Sequence, residues 1–329
     1  MTGAPLLTIR DLRVGFPRGK GLDVVVNGVD LDLYAGRITC LIGESGSGKS
    51  MTALATLRIL TPPGRTLPGS TINFAGQDVL TMSRRRIRQL RGGQIAMIFQ
   101  EPATSLNPAY TCGAQIAESI RLHEKVSRRA ATERAVELLA AVGIPEPRRR
   151  AADFPHHLSG GMQQRVMIAM ALSSSPKLLI ADEPTTALDV TIQAQIIGLL
   201  LKLRDEFGLG VLFITHDVGI VAQIADEVAV MYNGRIILRG PAEGCLDRPR
   251  HPYLQALLTA VPSLDSRADT RLPIIAGSAP RPGEITAGCA FAPRCPLAIE
   301  RCRAEEPPLA AVGDQHSACW CSDEPVVSR

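Results

Sequence analysis

The sequence predicts an α/β fold with a mixed central sheet, because short apolar segments alternate with longer amphipathic ones. Four apolar segments have the composition of buried strands: RITCLIG, QIAMIFQ, KLLIADEP and VLFITHD. Strands that are separated by helices typically form a parallel sheet. Stricter alternation in roughly the first 35 residues and in DEVAVMYNGRIILRG, which contains the turn signal Asn233-Gly234, predicts antiparallel strands at the flanks.

Two further parts of the chain have a different character. Between Gln115 and Ala141 the apolar residues recur at helical spacing, which predicts a helical insertion at about residues 101–170 of a domain spanning residues 1–245. Residues 246–329 contain 11 of the 24 prolines, and proline disfavours long helices and strands. We therefore predict a loop-rich extension at the C-terminus.

The composition is that of a globular protein, with 45% hydrophobic residues in a chain of 329. Its net charge is only +4, from 36 basic and 32 acidic residues, which is too small to indicate a nucleic-acid partner without a concentrated basic patch; we expect none. No apolar run reaches the roughly 18 residues of a membrane span, and the N-terminus lacks the features of a secretory signal. We expect a protein that stays in the cytosol and does not itself cross a membrane.

The segment GESGSGKS fits the phosphate-binding pattern G-x-x-x-x-G-K-[ST], between a predicted strand at Ile38–Ile42 and a predicted helix at Met51–Leu60. In this pattern the backbone N–H groups and the helix N-terminus face phosphates. Lys49 then bridges the β and γ phosphates, and the Ser50 hydroxyl binds Mg²⁺. The alternative is a glycine-rich turn before a helix. The predicted loop residues are Gly43, Glu44, Ser45, Gly46, Ser47, Gly48, Lys49 and Ser50.

An acidic pair, Asp182 and Glu183, ends the predicted strand KLLIADEP. Ligands bind at the carboxyl ends of strands in open parallel sheets. Asp182 is therefore a candidate for holding Mg²⁺ through water, and Glu183 for the general base that orients the attacking water. The alternative is a solvated acidic pair before a proline turn.

A second candidate anion site lies at LSGGM, directly before the amphipathic helix QQRVMIAMALSSSP. Ser159 and the backbone N–H groups of Gly160 and Gly161 would lie at the positive end of that helix.

Six motifs now occur in the order typical of one family: GESGSGKS, Gln100 after QIAMIF, LSGGM, the acidic pair, Ala187-Leu188-Asp189, and His216 after VLFIT. On these motifs the chain resembles the ATP-binding-cassette (ABC) family of P-loop NTPases. The resemblance implies a head-to-tail dimer, in which ATP on the phosphate loop of one subunit is covered by the LSGG helix end of the other.

The resemblance also implies roles for four single residues. His216 would contact the γ phosphate and the catalytic water, and Gln100 would couple Mg²⁺ to membrane subunits. Asp189 would link the two ATP sites of the dimer, and Phe16 is our candidate for the aromatic residue that stacks on adenine. The sequence departs from the usual family pattern at Met162, where glutamine is most common.

Three further segments, MIFQEPATSLNPAYT, HPYLQALLTAVPSL and GCAFAPRCPLAIERC, resemble the dipeptide and oligopeptide import ATPases. Some nickel and glutathione importers share this C-terminal extension, and both remain alternatives. The resemblance implies a second ATPase subunit (a paralogue or the same chain), two transmembrane permease subunits and an extracytoplasmic solute-binding protein. It places the chain peripherally on the cytoplasmic face of the inner membrane. Other classes are a soluble cassette ATPase acting on DNA or ribosomes, and a redox or metal-sensing regulator.

Five of the eight cysteines fall in the last 41 residues. The spacings between the first four of them, 5, 6 and 16 residues, are wider than those typical of structural zinc. Four thiolates suffice for an iron–sulfur cluster, and the resemblance to peptide importers supports a 4Fe-4S centre. Zinc and no metal remain alternatives, with Cys321 and His316 as spare ligands. The candidate ligands are Cys289, Cys295, Cys302 and Cys319.

Overall fold

The computed structural model of the protein describes residues 3–19, 21–186, 188–260, 275–281, 284 and 287–322. Ala187 of the Ala-Leu-Asp motif and residues 261–264 of HPYLQALLTAVPSL lie outside these ranges. Within them, no helix combines the length and the apolar character that a membrane span requires.

The described residues form thirteen strands and twelve α-helices. The strands are β1 (Leu7–Arg18), β2 (Gly21–Leu33), β3 (Ile38–Ile42), β4 (Arg65–Thr66), β5 (Thr71–Phe74), β6 (Gln77–Asp78), β7 (Ile95–Ile98), β8 (Leu178–Asp182), β9 (Gly210–Thr215), β10 (Glu227–Tyr232), β11 (Arg235–Pro241), β12 (Ala310–Val312) and β13 (Gln315–Ser317). The helices are α1 (Lys49–Thr56), α2 (Arg84–Leu90), α3 (Pro102–Ser105), α4 (Cys112–His123), α5 (Arg128–Ala141), α6 (Pro147–Arg150), α7 (Gly160–Leu172), α8 (Val190–Phe207), α9 (Val218–Ile224), α10 (Ala242–Asp247), α11 (Pro252–Thr259) and α12 (Glu300–Ala304).

The chain divides into two compact units. The first unit comprises Met1–Leu6, Leu33–Arg37 and Gln77–Ile214, and the second comprises Leu7–Asp32, Ile38–Gly76 and Thr215–Arg329. The predicted division into residues 1–245 and 246–329 stays a prediction.

The first unit contains three parallel strands in the order β9-β8-β7, which confirms three of the four strands predicted from apolar segments. All five residues of β8 are buried, which is why its sequence is apolar up to its last residue, Asp182. The predicted helical region contains α4 and α5, each capped by a side-chain hydroxyl, from Thr111 and Ser127 respectively. Helix α7 packs on both of them.

The second unit contains an antiparallel sheet, with strand order β2-β1-β5 and β4 beside β1. It also contains the strands β12-β13-β11-β10-β3, in which β10 is parallel to β3 and antiparallel to β11. The predicted turn between β10 and β11 is confirmed, because Asn233 and Gly234 have φ angles of 46° and 80°. The α/β prediction with a mixed sheet and antiparallel strands is confirmed.

Helix α1 begins at Lys49 and ends at Thr56, whereas the sequence predicted Met51–Leu60. The last two residues of the phosphate-loop motif already belong to the helix. The helix ends early because Arg58 adopts a left-handed conformation, with φ 53°, and Pro62 and Pro63 follow.

Candidate nucleotide-binding site

The phosphate loop connects β3 to α1 within the second unit. Two of its glycines have no room for a side chain. A Cβ at Gly43 would lie 2.2 Å from the Met231 carbonyl oxygen, and one at Gly48 would lie 2.7 Å from the Val25 carbonyl oxygen. Both have positive φ angles, 154° and 106°, that non-glycine residues rarely adopt. The sequence pattern therefore has a local steric cause.

Lys49 lies at the first position of α1 and is only 5% exposed. Its Nζ donates hydrogen bonds to the carbonyl oxygens of Gly43 (2.8 Å) and Glu44 (3.0 Å). The ammonium group is thus held inside the loop, at the helix end where N–H groups and the helix dipole favour anions. This arrangement fits phosphate binding.

Two further predicted residues lie in the second unit. Phe16, on β1, is half-buried and packs against Gly64, where an added Cβ would lie 2.5 Å from the ring. His216 is exposed and directly follows β9. Its neighbour Asp217 caps α9 by accepting hydrogen bonds from the N–H groups of Gly219 and Ile220. The roles of Phe16 and His216 stay predictions.

The acidic strand end lies in the first unit. Asp182, the last residue of β8, is 6% exposed. Glu183 follows with a φ of 47°, an unfavourable conformation for a side chain of this type. Its Oε2 accepts hydrogen bonds from Gln100 Nε2 (3.0 Å) and from Thr186 Oγ1 (2.9 Å). The structure therefore brings Gln100 and Glu183, 83 residues apart, into direct contact.

The LSGGM segment forms the N-terminus of α7, in the first unit. Ser159 is the N-cap residue, but its side chain makes no capping hydrogen bond to the helix. Ser159 and Gly160 are exposed, and Cβ would meet nothing within 4 Å at Gly160. Gly161 is buried against Ile192: a Cβ added at Gly161 would lie 2.7 Å from Ile192 Cγ2. The serine and the first glycine are thus accessible to an anion from outside.

Asp189 is exposed and caps α8, since its carboxylate accepts a hydrogen bond from the Ile192 N–H at 2.9 Å. This is a structural role that the sequence analysis did not foresee. The predicted link between two ATP sites stays a prediction.

The five C-terminal cysteines line one small cavity in the second unit, together with Trp320 and His251. Burial raises the pKa of the Cys295 thiol to about 11 and that of the Cys319 thiol to about 12. Across the described part of the chain, no three His, Cys, Asp or Glu side chains are grouped so that they could hold a single metal ion. The cysteines that line the cavity are Cys289, Cys295, Cys302, Cys319 and Cys321.

Two residues near the phosphate loop were missed by the sequence analysis. Arg294 forms an ion pair with Glu44, and Tyr253 accepts a hydrogen bond from the Glu44 N–H. Tyr253 belongs to the segment HPYLQALLTAVPSL and Arg294 to GCAFAPRCPLAIERC, and the sequence predicts a role for these segments only through their resemblance to importer subunits. The only sequence signal was an unexplained acidic residue inside an anion-binding loop.

A strand–loop–helix unit of this kind, with an acidic strand end and a glycine-rich helix N-terminus, defines a P-loop nucleotide-binding protein. Residues 26–186 match the ABC transporter family, and residues 239–302 match the oligopeptide/dipeptide transporter C-terminal region. A probable peptide ABC transporter ATP-binding protein of Sinorhizobium fredii is 48% identical over 98% of this chain and 96% of its own length. A putative peptide import ATP-binding protein of Brucella melitensis is also 48% identical, over 97% of each chain. The chain belongs to the ABC transporter ATP-binding family and is an ABC-type ATPase.

Solved structures agree with this assignment. A dimeric ATP-binding cassette in a post-hydrolysis state, bound to ADP and Pi, superposes with a TM-score of 0.64 at 25% identity, covering 72% of this chain and 98% of that one. The cbiO1 protein of Clostridium perfringens, part of an ABC transporter complex, gives a TM-score of 0.63 at 28% identity, covering 74% and 92%.

Proposed function

We propose that this ATPase is the energy-supplying subunit of a binding-protein-dependent importer of dipeptides or oligopeptides. The observation that carries the proposal is the match of residues 239–302 to the oligopeptide/dipeptide transporter C-terminal region. The relatives align with nearly the whole chain, and their names as peptide transporter or peptide import ATP-binding proteins support the proposal.

In the proposed mechanism, the phosphate loop binds ATP, with Lys49 on the β and γ phosphates and Ser50 on Mg²⁺. With Ser50, Asp182 and Gln100 would hold Mg²⁺, because their side chains supply oxygen donors of the kind that this ion prefers. Glu183 removes a proton from the attacking water, and His216 contacts the γ phosphate. The hydrogen bond between Gln100 and Glu183 supports these roles, because it places the proposed base next to a residue that is proposed to hold Mg²⁺. Phe16 stacks on adenine.

The ATP-bound state is proposed to be a head-to-tail dimer. The exposure of Ser159 and Gly160 at the N-terminus of α7 supports this, because these groups are free to receive the γ phosphate of a partner's ATP. Gly161 completes the turn, and Asp189 lies next to the partner's site. The partner is a paralogous ATPase or a second copy of this chain.

Transport requires further subunits. We propose two transmembrane permease subunits and an extracytoplasmic solute-binding protein, with this chain bound peripherally to the permeases at the cytoplasmic face of the inner membrane. No nucleic acid is involved.

Uptake measurements test the substrate class. Cells that lack this chain are expected to lose uptake of labelled di- or oligopeptides and to regain it with the wild-type chain but not with Lys49→Ala. Loss of Ni²⁺ or glutathione uptake, with peptide uptake intact, would contradict the peptide assignment.

We further propose that the cysteine cavity holds an iron–sulfur cluster, possible donors being the five thiols that line it. What supports the proposal is that all five thiols line one cavity and that four thiolates suffice for such a cluster; zinc remains the alternative. When bound, the cluster would cross-link the loops of the extension and contribute to its folding free energy.

Cys302 offers a direct test, because it is buried and lines the cavity. Protein purified without oxygen is expected to contain iron and acid-labile sulfide, and Cys302→Ser is expected to lose most of both. Cys245→Ser, which removes a buried thiol outside the cavity, is the control and is expected to keep them. Stoichiometric zinc without sulfide in the wild-type protein would refute the cluster.

A further inference from the structure

The phosphate loop carries an acidic residue, Glu44, at a place where a polyanion binds. A carboxylate beside bound phosphates is electrostatically unfavourable unless a cation compensates it. The Lys49 Nζ donates hydrogen bonds to the carbonyl oxygens of Gly43 and Glu44, and the Glu44 carboxylate has a cation of its own, Arg294. The positive charge that compensates Glu44 comes from Arg294, in the C-terminal extension of the same unit.

Arg294 binds the Glu44 carboxylate with both arms of its guanidinium group. One nitrogen lies 2.8 Å from Oε2 and the other 3.0 Å from Oε1. The Arg294 side chain is only 6% exposed, so solvent screens this pair weakly. Its Nε donates to the Ala276 carbonyl oxygen at 3.0 Å, which fixes the guanidinium plane. The positive charge of the extension is thus held in place against the loop.

A second residue of the extension holds the backbone of the same loop position. The Tyr253 hydroxyl oxygen accepts a hydrogen bond from the Glu44 N–H at 2.8 Å. The Glu44 carbonyl oxygen accepts hydrogen bonds from Lys49 Nζ and from the Ser47 N–H, so every polar group of Glu44 has a partner. Two of these four partners, Arg294 and Tyr253, lie outside the region that matches the ABC transporter family.

Aromatic rings surround these contacts. The rings of Tyr232, Tyr253 and Phe291 meet edge to face, with centroids 4.7 to 5.4 Å apart. The Tyr232 hydroxyl accepts a further hydrogen bond from Arg294 at 3.2 Å. Burial raises the pKa of the Tyr253 phenol, so this group stays neutral at physiological pH. The low-polarity surroundings strengthen the Arg294–Glu44 interaction and keep its geometry fixed.

From this geometry we infer that the C-terminal extension is part of the nucleotide-binding machinery. Arg294 is a positioning residue that neutralises Glu44, and Tyr253 is a positioning residue that holds the Glu44 backbone. Through the Glu44 carbonyl oxygen, both set the place of the Lys49 ammonium group. The inference rests on the ATPase activity of the family and is independent of the transported solute.

A double-mutant cycle tests the inference on the full-length protein. ATP affinity is measured directly by calorimetry for wild type, Arg294→Met, Glu44→Gln and the double variant. Arg294→Met is expected to weaken ATP binding by about 10-fold or more, because it leaves a negative charge in the loop. In the Glu44→Gln background the same change is expected to have less than about a 2-fold effect, because no charge remains to be compensated.

Arg301→Met is the matched control. Arg301 belongs to the same extension, but it pairs with Glu305 at 3.0 Å and stacks on Trp320, away from the loop. This variant is expected to bind ATP as wild type does. Thermal unfolding of each variant shows whether it is folded. Should Arg294→Met not fold, Arg294→Gln carries the same cycle, because it also removes the positive charge and keeps a side chain that can donate hydrogen bonds.

Two results would overturn the inference. One is wild-type ATP affinity in a folded Arg294→Met variant. The other is that Arg294→Met lowers ATP affinity by the same factor in the wild-type protein and in the Glu44→Gln variant. The second would mean that Arg294 acts only on the stability of the extension. If the double-mutant cycle gives the expected result but the chain is not needed for peptide uptake, only the importer proposal is contradicted.

Discussion

Glu183→Gln is expected to lower ATP hydrolysis by at least about 100-fold while ATP binding is retained. A glutamine has nearly the same shape but takes no proton from water, and loss of a general base typically costs 10²–10⁴-fold. The amide still accepts the hydrogen bonds that Gln100 and Thr186 donate to Oε2, so the left-handed turn at this residue is expected to persist. The variant should therefore accumulate the ATP-bound dimer.

The measurement has two parts: phosphate release at saturating Mg-ATP, and molecular mass by light scattering with and without ATP. Glu206→Gln is the control, because Glu206 is an exposed partner of Lys202 on α8. It should hydrolyse ATP as wild type does. Unchanged turnover in Glu183→Gln would remove the assigned base. A variant that stays monomeric with Mg-ATP, alone and with its paralogue, would contradict the shared site.

The local structure of the phosphate loop and of the acidic strand end was predictable because the residues of each are adjacent in sequence. Lys49 and Ser50 follow the loop glycines directly, and the apolar residues of β8 lead to Asp182. In such segments local sterics and strand periodicity fix the side chains with little help from the rest of the fold. The predicted strands and the turn at Asn233-Gly234 were confirmed for the same reason.

Contacts between distant segments could not be predicted. Arg294 and Glu44 are 250 residues apart, and nothing near either residue in the sequence indicates the other. The hairpin of β12 and β13 was also missed, because strands of three residues are too short to show a period of two. It extends the sheet beside β11, with Leu238 paired to Ser317, and so connects the extension to the rest of the second unit. Tertiary packing decides these features, and a single sequence does not record it.

Lys49→Ala is expected to weaken ATP binding by at least about 100-fold. A hydrogen bond to a charged group contributes about 1.5–3 kcal/mol, and the ammonium group is proposed to contact two phosphates. The substitution also removes the bonds to the Gly43 and Glu44 carbonyl oxygens, which hold the loop when no nucleotide is bound. Both effects act in the same direction, so the loss should appear in affinity rather than only in turnover.

Calorimetric titration with Mg-ATP checks this result, with Lys202→Ala as the control on an exposed helix face. Combining the substitutions separates binding from chemistry: Glu183→Gln should dimerise with ATP, whereas Lys49→Ala/Glu183→Gln should not, because no nucleotide is held between the subunits. Wild-type affinity in Lys49→Ala would mean that the glycine-rich turn does not bind phosphate. Dimerisation of the double variant with ATP would mean that the lysine is dispensable for the shared site.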